Sequence, residues 1–376
     1  MRARARIFSV LLIAGAALVM VSGAIGLASG GPGAGRTGFV NPRVASHWES
    51  LDGDRVRCGL CPRRCVVPPG GRGYCEVREN RGGVYYTLSY GNPCAIHVDP
   101  VEKKPFYHFL PTTTAFSVAT AGCNLDCKFC QNWHISTARP EELANYDLPP
   151  EQLVAAAVES GCPSIAYTYS EPTIFFEYML ECAKLAHERG LRNVYHSNGF
   201  IEPEPLRELA AYLDAANIDL KGFTEEYYRD MTGGSLAPVL RSLRILKEEG
   251  VHLEITTLLV PGANDDPETL RNMCRWIREN LGASVPIHFS RFHPQHRLRN
   301  LPPTPLERLE AARRIALDEG LRYVYIGNVP GHEANSTYCP VCSAELIHRI
   351  GYSVEVHGMS EGRCAECGAV VDGVWE

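Results

Sequence analysis

The stretch Ala115-Phe-Ser-Val-Ala-Thr120-Ala-Gly-Cys123-Asn-Leu-Asp-Cys127-Lys-Phe-Cys130 carries two signals in sixteen residues. Its first six residues read as a short buried strand, closed by Ala121-Gly122. Three thiols at C-x3-C-x2-C then occupy the loop that leaves the strand. Outward from here the pattern of strand, polar loop and amphipathic segment repeats. Strands are expected at Ala115–Thr120, Ser164–Tyr169, Asn193–Ser197, Ala216–Leu220, His252–Val260, Val285–Ser290 and Arg322–Ile326. Helical patterns fall near 150–160, 173–189, 204–213, 236–249, 267–280 and 305–319, several ending at Gly190, Gly250 or Gly320. Repeated βα units impose parallel strands with right-handed crossovers. Seven strands in about 210 residues predict an α/β fold, a partial or complete (β/α) barrel.

The chemistry-bearing peptides fall just behind strands: Cys123–Cys130, Ser170-Glu171-Pro172-Thr173, Asn198-Gly199, Asp219-Leu220-Lys221, Pro261–Asn264, His293-Pro294 and Asn328–Gly331. In a parallel barrel these positions share the C-terminal rim, where active sites are built. A cubane [4Fe–4S] cluster needs one ligand per iron, so Cys123, Cys127 and Cys130 would leave one iron open to a small molecule. Two other readings use the same thiols: zinc with His134 as fourth ligand, or an electron-transfer cluster completed by Cys94. If strand alternation holds, Tyr167, Tyr169 and His196 face the same rim.

Composition supports a folded enzyme-sized chain. With 376 residues, 45% hydrophobic and 21% charged, it is neither collagen-like, coiled-coil nor wholly disordered. Against 43 Asp+Glu, its 37 Lys+Arg give a net charge of −6 and no general field for nucleic acid. The 15 Cys, an odd number with C-x-x-C spacings, fit metal ligation better than a secreted disulfide framework.

The ends of the chain differ from its middle. Residues 1–29 pair a basic start with an uncharged apolar run, which predicts a membrane helix or signal peptide, and 30–44 reads as a linker. A Cys-rich module is expected over 45–110, the barrel over 111–331 and a zinc-ribbon-like module over 332–376. In that last module Cys339, Cys342, Cys364 and Cys367 form two C-x-x-C knuckles, the pattern of a closed structural zinc site; a rubredoxin-like iron and redox disulfides use the same spacing. Cys58, Cys61, Cys65 and Cys75 suit zinc or an auxiliary iron–sulfur cluster. Cys94, Cys162, Cys182 and Cys274 are isolated and read as packing residues.

The triad, with Phe129 before its last Cys, resembles the signature of the radical S-adenosylmethionine (SAM) superfamily. Ser170-Glu171-Pro172 stands where that superfamily has a Gly-Gly-Glu-Pro-like segment. Ser197-Asn198-Gly199, Asp219-Leu220-Lys221, Val260-Pro261-Gly262 and His293 follow in the order seen in pyruvate formate-lyase activating enzymes. The sequence looks most like the radical SAM component of the AmmeMemoRadiSam system, through Cys58-Gly-Leu-Cys61-Pro-Arg-Arg-Cys65, Gly70–Arg78 and Tyr167–Thr173. The resemblance covers roughly residues 50–335.

It implies that Cys123, Cys127 and Cys130 hold a [4Fe–4S] cluster whose open iron is chelated by SAM. Glu171 and the Ser170 backbone would accept from the SAM amino group, and Lys221 and His293 would meet its carboxylate or ribose. Ser197, Asn198 and Asp219 would complete the cofactor site. It further implies reductive cleavage of SAM to a 5′-deoxyadenosyl radical, a low-potential donor of flavodoxin or ferredoxin type, a protein or peptide substrate, and AMMECR1-like and Memo-like partners. The alternatives are generation of a glycyl radical on a partner enzyme, and a noncatalytic iron–sulfur or zinc protein. Where activating enzymes carry an Arg on the fifth strand this chain has Thr256, and His196-Ser197 replaces their Asp-Thr. Such chemistry favours a cytoplasmic catalytic domain, whereas the N-terminal segment favours membrane attachment or export.

Overall fold

Short runs of small and β-branched residues become one eight-stranded sheet: β1 (Ala95–Pro100), β2 (Thr114–Ala119), β3 (Ser164–Tyr167), β4 (Arg192–Ser197), β5 (Ala215–Asp219), β6 (His252–Leu259), β7 (Ile287–Arg291) and β8 (Val324–Gly327). The computed structural model describes residues 33–376. The segment expected over 1–29 therefore lies outside the described residues; among those described, no helix is long and apolar enough to cross a membrane.

The strands lie in sequence order, and β2 to β8 pair in parallel. Six longer helices lie in the connections among the described residues: α1 (Pro150–Glu159), α2 (Phe176–Glu188), α3 (Pro203–Ala210), α4 (Leu236–Glu248), α5 (Pro267–Asn280) and α6 (Leu306–Asp318). Local chemistry sets their ends. Asp266 caps α5 by accepting from the Thr269 N–H at 2.9 Å, with Pro267 in the first turn where its missing N–H costs nothing. Among the described residues no pairing joins β1 to β8, so the barrel is partial.

All seven expected strands form, with ends shifted by two residues or fewer. The sequence reading omits β1, which pairs antiparallel with β2 from Ala95↔Ala119 to Pro100↔Thr114. This strand lies inside the span read as the N-terminal module, yet it is the edge of the barrel sheet. Its pattern is weak because only Ile96 and Val98 alternate as apolar positions before Asp99 and Pro100 end the run.

The helices pack on the outer face of the sheet, where Ile165, Tyr195, Ile218, Ile255 and Phe289 belong to the main core. The inner face is different. Ala115, Ala166 and Ala215 leave space that Val101, Phe106, Phe109 and Leu110 fill, closing the N-terminal end of the barrel and leaving the opposite end open.

Two buried arginines dock the flanking Cys-rich segments. Arg78 Nη2 donates to both carboxylate oxygens of Glu177 on α2, at 2.6 and 2.7 Å. Arg349, on the C-terminal strand Glu345–Ile350, donates to the Tyr107 carbonyl at 2.8 Å and to Thr337 at 2.7 Å. Each is 1% exposed, so removing either partner would strand a buried charge.

Candidate active site at the open rim of the barrel

The loops behind β2, β3, β4 and β5 surround a cavity of about 570 Å³. Cys123, Cys127 and Cys130 line it together with Ser170, Glu171, Ser197, Asn198, Asp219 and Lys221. His293 is the exception: it is exposed and stands outside this lining, while His288 and Ser290 line it from β7.

The triad loop is fixed from two sides. Asn124 Nδ2 donates to the Phe200 carbonyl at 2.7 Å, and its Oδ1 accepts from Asn198 Nδ2 at 2.9 Å. The same Asn198 amide lies 3.8 Å from Cys123 Sγ, and Cys130 Sγ lies 3.6 Å from Ser136 Oγ. Burial pushes the Cys127 thiol up to about 12, with Lys221 pulling the other way, so metal loading here releases protons.

Glu171 is fully buried at the end of the loop behind β3. Oε1 accepts from the Thr173 N–H at 3.0 Å and Ser197 Oγ at 2.7 Å; Oε2 accepts from the Asn198 N–H at 2.9 Å. Burial raises its pKa despite these bonds. Glu171 lines the cavity, where a carboxylate suits an ammonium group.

Asp219 Oδ2 pairs with Lys221 Nζ at 2.9 Å and Oδ1 with His196 Nε2 at 3.3 Å. Burial opposes the charged form of Asp219, but Lys221 and His196 hold the carboxyl well below the usual carboxylate range. Lys221 is likewise opposed by burial and held charged by Asp219.

Four buried polar atoms on lining residues, Glu102 Oε2, Ser170 Oγ, His196 Nδ1 and Asn335 Oδ1, have no protein partner. Three thiols, a buried carboxylate, a lysine and these orphaned polar atoms around one cavity fit a cluster with a bound zwitterion. Among the other rim residues, Thr256 lines the cavity and donates to Asn217 Oδ1 at 2.8 Å.

Tyr167 departs from the expected alternation: it is buried against the helix layer and donates to Asn193 Oδ1 at 3.1 Å. Tyr169 does reach the cavity, because β3 ends at Tyr167 and Tyr169 adopts a left-handed φ of 64°. The sequence reading also misses the cavity floor. Asp99 binds Lys103 at 2.8 Å, Lys104 at 2.5 Å and the Tyr169 hydroxyl. Burial lowers Lys104 to about 8, with Asp99 working in the other direction. Glu254 accepts from His288 Nε2 at 2.6 Å and from the Tyr107 and His108 N–H groups at 2.9 and 2.8 Å. Glu102 Oε2 is buried without a partner, and Glu102, Lys104 and His288 all line the cavity.

The C-terminal quartet closes separately. Cys339, Cys342, Cys364 and Cys367 bring their sulfurs within 4.8 Å of one another, with Cys339–Cys367 and Cys342–Cys364 each at 3.6 Å.

An open parallel barrel with a three-cysteine loop behind its first parallel strand defines a class of cluster-dependent SAM enzymes. Residues 117–274 match the radical SAM superfamily. Protein MJ0808 of Methanocaldococcus jannaschii is 45% identical over 332 residues, which cover 88% of this chain and 99% of that one. The pyruvate formate-lyase-activating enzyme of Streptococcus mutans is 24% identical over 43% of this chain, and the chain spans only 65% of that enzyme. A radical SAM methyltransferase of Sphaerobacter thermophilus aligns with a TM-score of 0.45 at 14% identity, covering 77% of each chain. The chain belongs to the radical SAM superfamily and is an enzyme; that family implies a [4Fe–4S] cluster and SAM.

Proposed function

We propose that the enzyme cleaves SAM reductively at the Cys123, Cys127 and Cys130 site and acts on a protein or peptide, as a member of the AmmeMemoRadiSam branch. The observation that carries this is the convergence of those three thiols with Glu171, Asp219 and Lys221 on one cavity. A [4Fe–4S] cluster held by Cys123, Cys127 and Cys130 would supply the one-electron reduction that cleaves SAM to methionine and a hydrogen-abstracting 5′-deoxyadenosyl radical. Glu171 would accept from the SAM amino group, and Lys221 would offer an ammonium to the carboxylate or ribose. Tyr107, Phe129 and Tyr169 line the cavity and would limit water there.

Activation of a glycyl-radical enzyme is the second reading, favoured by the likeness to activating enzymes. The AmmeMemoRadiSam branch is preferred because the activating-enzyme likeness spans 43% of the chain, whereas the branch motifs include the Cys58–Cys75 segment. Electrons would come from a flavodoxin- or ferredoxin-type donor, and AMMECR1-like and Memo-like proteins are the partners to test by co-purification. The C-terminal quartet is assigned to structural zinc, since tetrahedral zinc with bonds of about 2.3 Å places sulfurs about 3.8 Å apart.

The test is anaerobic reconstitution with iron and sulfide, then dithionite and SAM. The expected result is 5′-deoxyadenosine and a SAM-induced change in the EPR signal; neither appearing in fully clustered protein would sink the proposal. Cys130→Ala should abolish 5′-deoxyadenosine formation. Cys364→Ala should instead lower the zinc content and melting temperature while preserving turnover per cluster. Loss of the SAM response in both variants, with folding unchanged, would contradict this division.

A further inference from the structure

Cys58, Cys61, Cys65 and Cys75 take no part in the site above, yet the fold brings all four to one small pocket. Their sulfurs receive backbone amides: the Tyr74 N–H lies 3.4 Å from Cys65 Sγ, and the N–H groups of Leu60, Arg63 and Val77 face Cys58, Cys61 and Cys75. Two further donors on the lining, Arg78 Nε and the Tyr85 hydroxyl, have no protein acceptor, although their side chains are 1% and 0% exposed. A Cβ on Gly73 would stand 2.6 Å from the Tyr85 hydroxyl and 3.9 Å from Cys75 Sγ, so glycine leaves room for that phenol beside the thiols.

The two cysteine quartets differ in spacing. All four C-terminal sulfurs gather within 4.8 Å, as a single zinc ion requires. Among the described residues no three of the N-terminal sulfurs do so, and neither do those of Cys123, Cys127 and Cys130. The N-terminal four sulfurs are therefore spread more widely than the single-ion quartet. A cubane spaces its four thiolates further apart than one zinc ion does, and its inorganic sulfides accept hydrogen bonds. Arg78 Nε and the Tyr85 hydroxyl would then have partners, and the buried guanidinium would offset part of the cluster's negative charge.

We infer that Cys58, Cys61, Cys65 and Cys75 hold a second [4Fe–4S] cluster, fully ligated by protein, with Arg78 and Tyr85 donating to its sulfurs. Four protein ligands leave no iron open, so this site does not bind SAM. It backs directly onto the SAM-site loop. Asn124, Thr173 and Ile174 line its pocket, and a Cβ on Gly122 would lie 2.7 Å from the Cys75 carbonyl.

The test uses the full chain, reconstituted anaerobically with iron and sulfide and then desalted. Two cubanes and one zinc site predict about eight iron, eight sulfide and one zinc per chain. The combined variant Cys123→Ala/Cys127→Ala/Cys130→Ala should keep about four iron and four sulfide, with the Mössbauer signature of a cubane. Cys61→Ala/Cys75→Ala should also keep about four iron and still show the SAM-induced EPR change, so failure of this site differs from failure of the SAM site. Two zinc and about four iron in the wild type would overturn the inference, even if the variants fail to fold.

Discussion

Lys221 shows how much of the site rests on single residues. It is a charged group in a buried place, kept protonated by Asp219 at 2.9 Å, and that pair holds it against the cavity. Lys221→Met should weaken SAM binding about tenfold, roughly 1.4 kcal/mol, measured as the SAM concentration giving half of the EPR change. It should do so with cluster content unchanged, and Lys221→Arg should restore part of the affinity. An unaltered SAM response in Lys221→Met would remove the residue from the cofactor site. The thiols, Glu171, Asp219 and Lys221 are legible in sequence because each sits in a short motif behind a strand. Glu102 and Lys104 are not: they precede the first expected strand and reach the cavity only through the turn that follows β1.

At the level of elements, the passage from β2 into the triad loop is tightly constrained. Gly122 has φ of 92°, and an added Cβ would meet Val77 Cγ1 at 2.6 Å and the Cys75 carbonyl at 2.7 Å. Gly122→Ala therefore combines backbone strain with a clash against backbone, and should cost about 2–4 kcal/mol. Thermal melting of the anaerobically purified variant should show that loss, together with reduced iron uptake; a wild-type melting temperature would argue that the two cysteine loops are not packed against each other. The strand and helix pattern that places this join was readable because hydrophobic period and glycine stops agree along the whole middle of the chain. The edge strand β1 was not, since its buried Asp99 is tolerable only once Lys103 and Lys104 pair with it.

Across the whole molecule, the C-terminal tail is tied to the barrel floor through a buried histidine. His108 Nδ1 lies 2.5 Å from the Asp372 carbonyl, Nε2 lies 2.5 Å from the Tyr325 hydroxyl, and the ring packs 5.3 Å from Trp375. Burial lowers its pKa from 6.5 to about 4, partly opposed by Glu254. The unfolded chain thus binds more protons in that window, so stability is intact above pH 6.5 and falls toward pH 4, by on the order of 3 kcal/mol from this residue. Denaturant unfolding followed by Trp fluorescence should show that loss, and His108→Asn should flatten it; an equally steep decline in the variant would assign it elsewhere. By itself the sequence determined the parallel barrel, the triad and the rim motifs, because periodicity and ligand spacing are local properties of the chain. Only the tertiary structure decided that the barrel stays open, that His293 lies outside the cavity while Lys104 and Glu102 line it, and that one cysteine quartet is tight and the other wide. Those outcomes depend on which distant segments pack together, a choice made by burial and charge pairing over separations that no local pattern records.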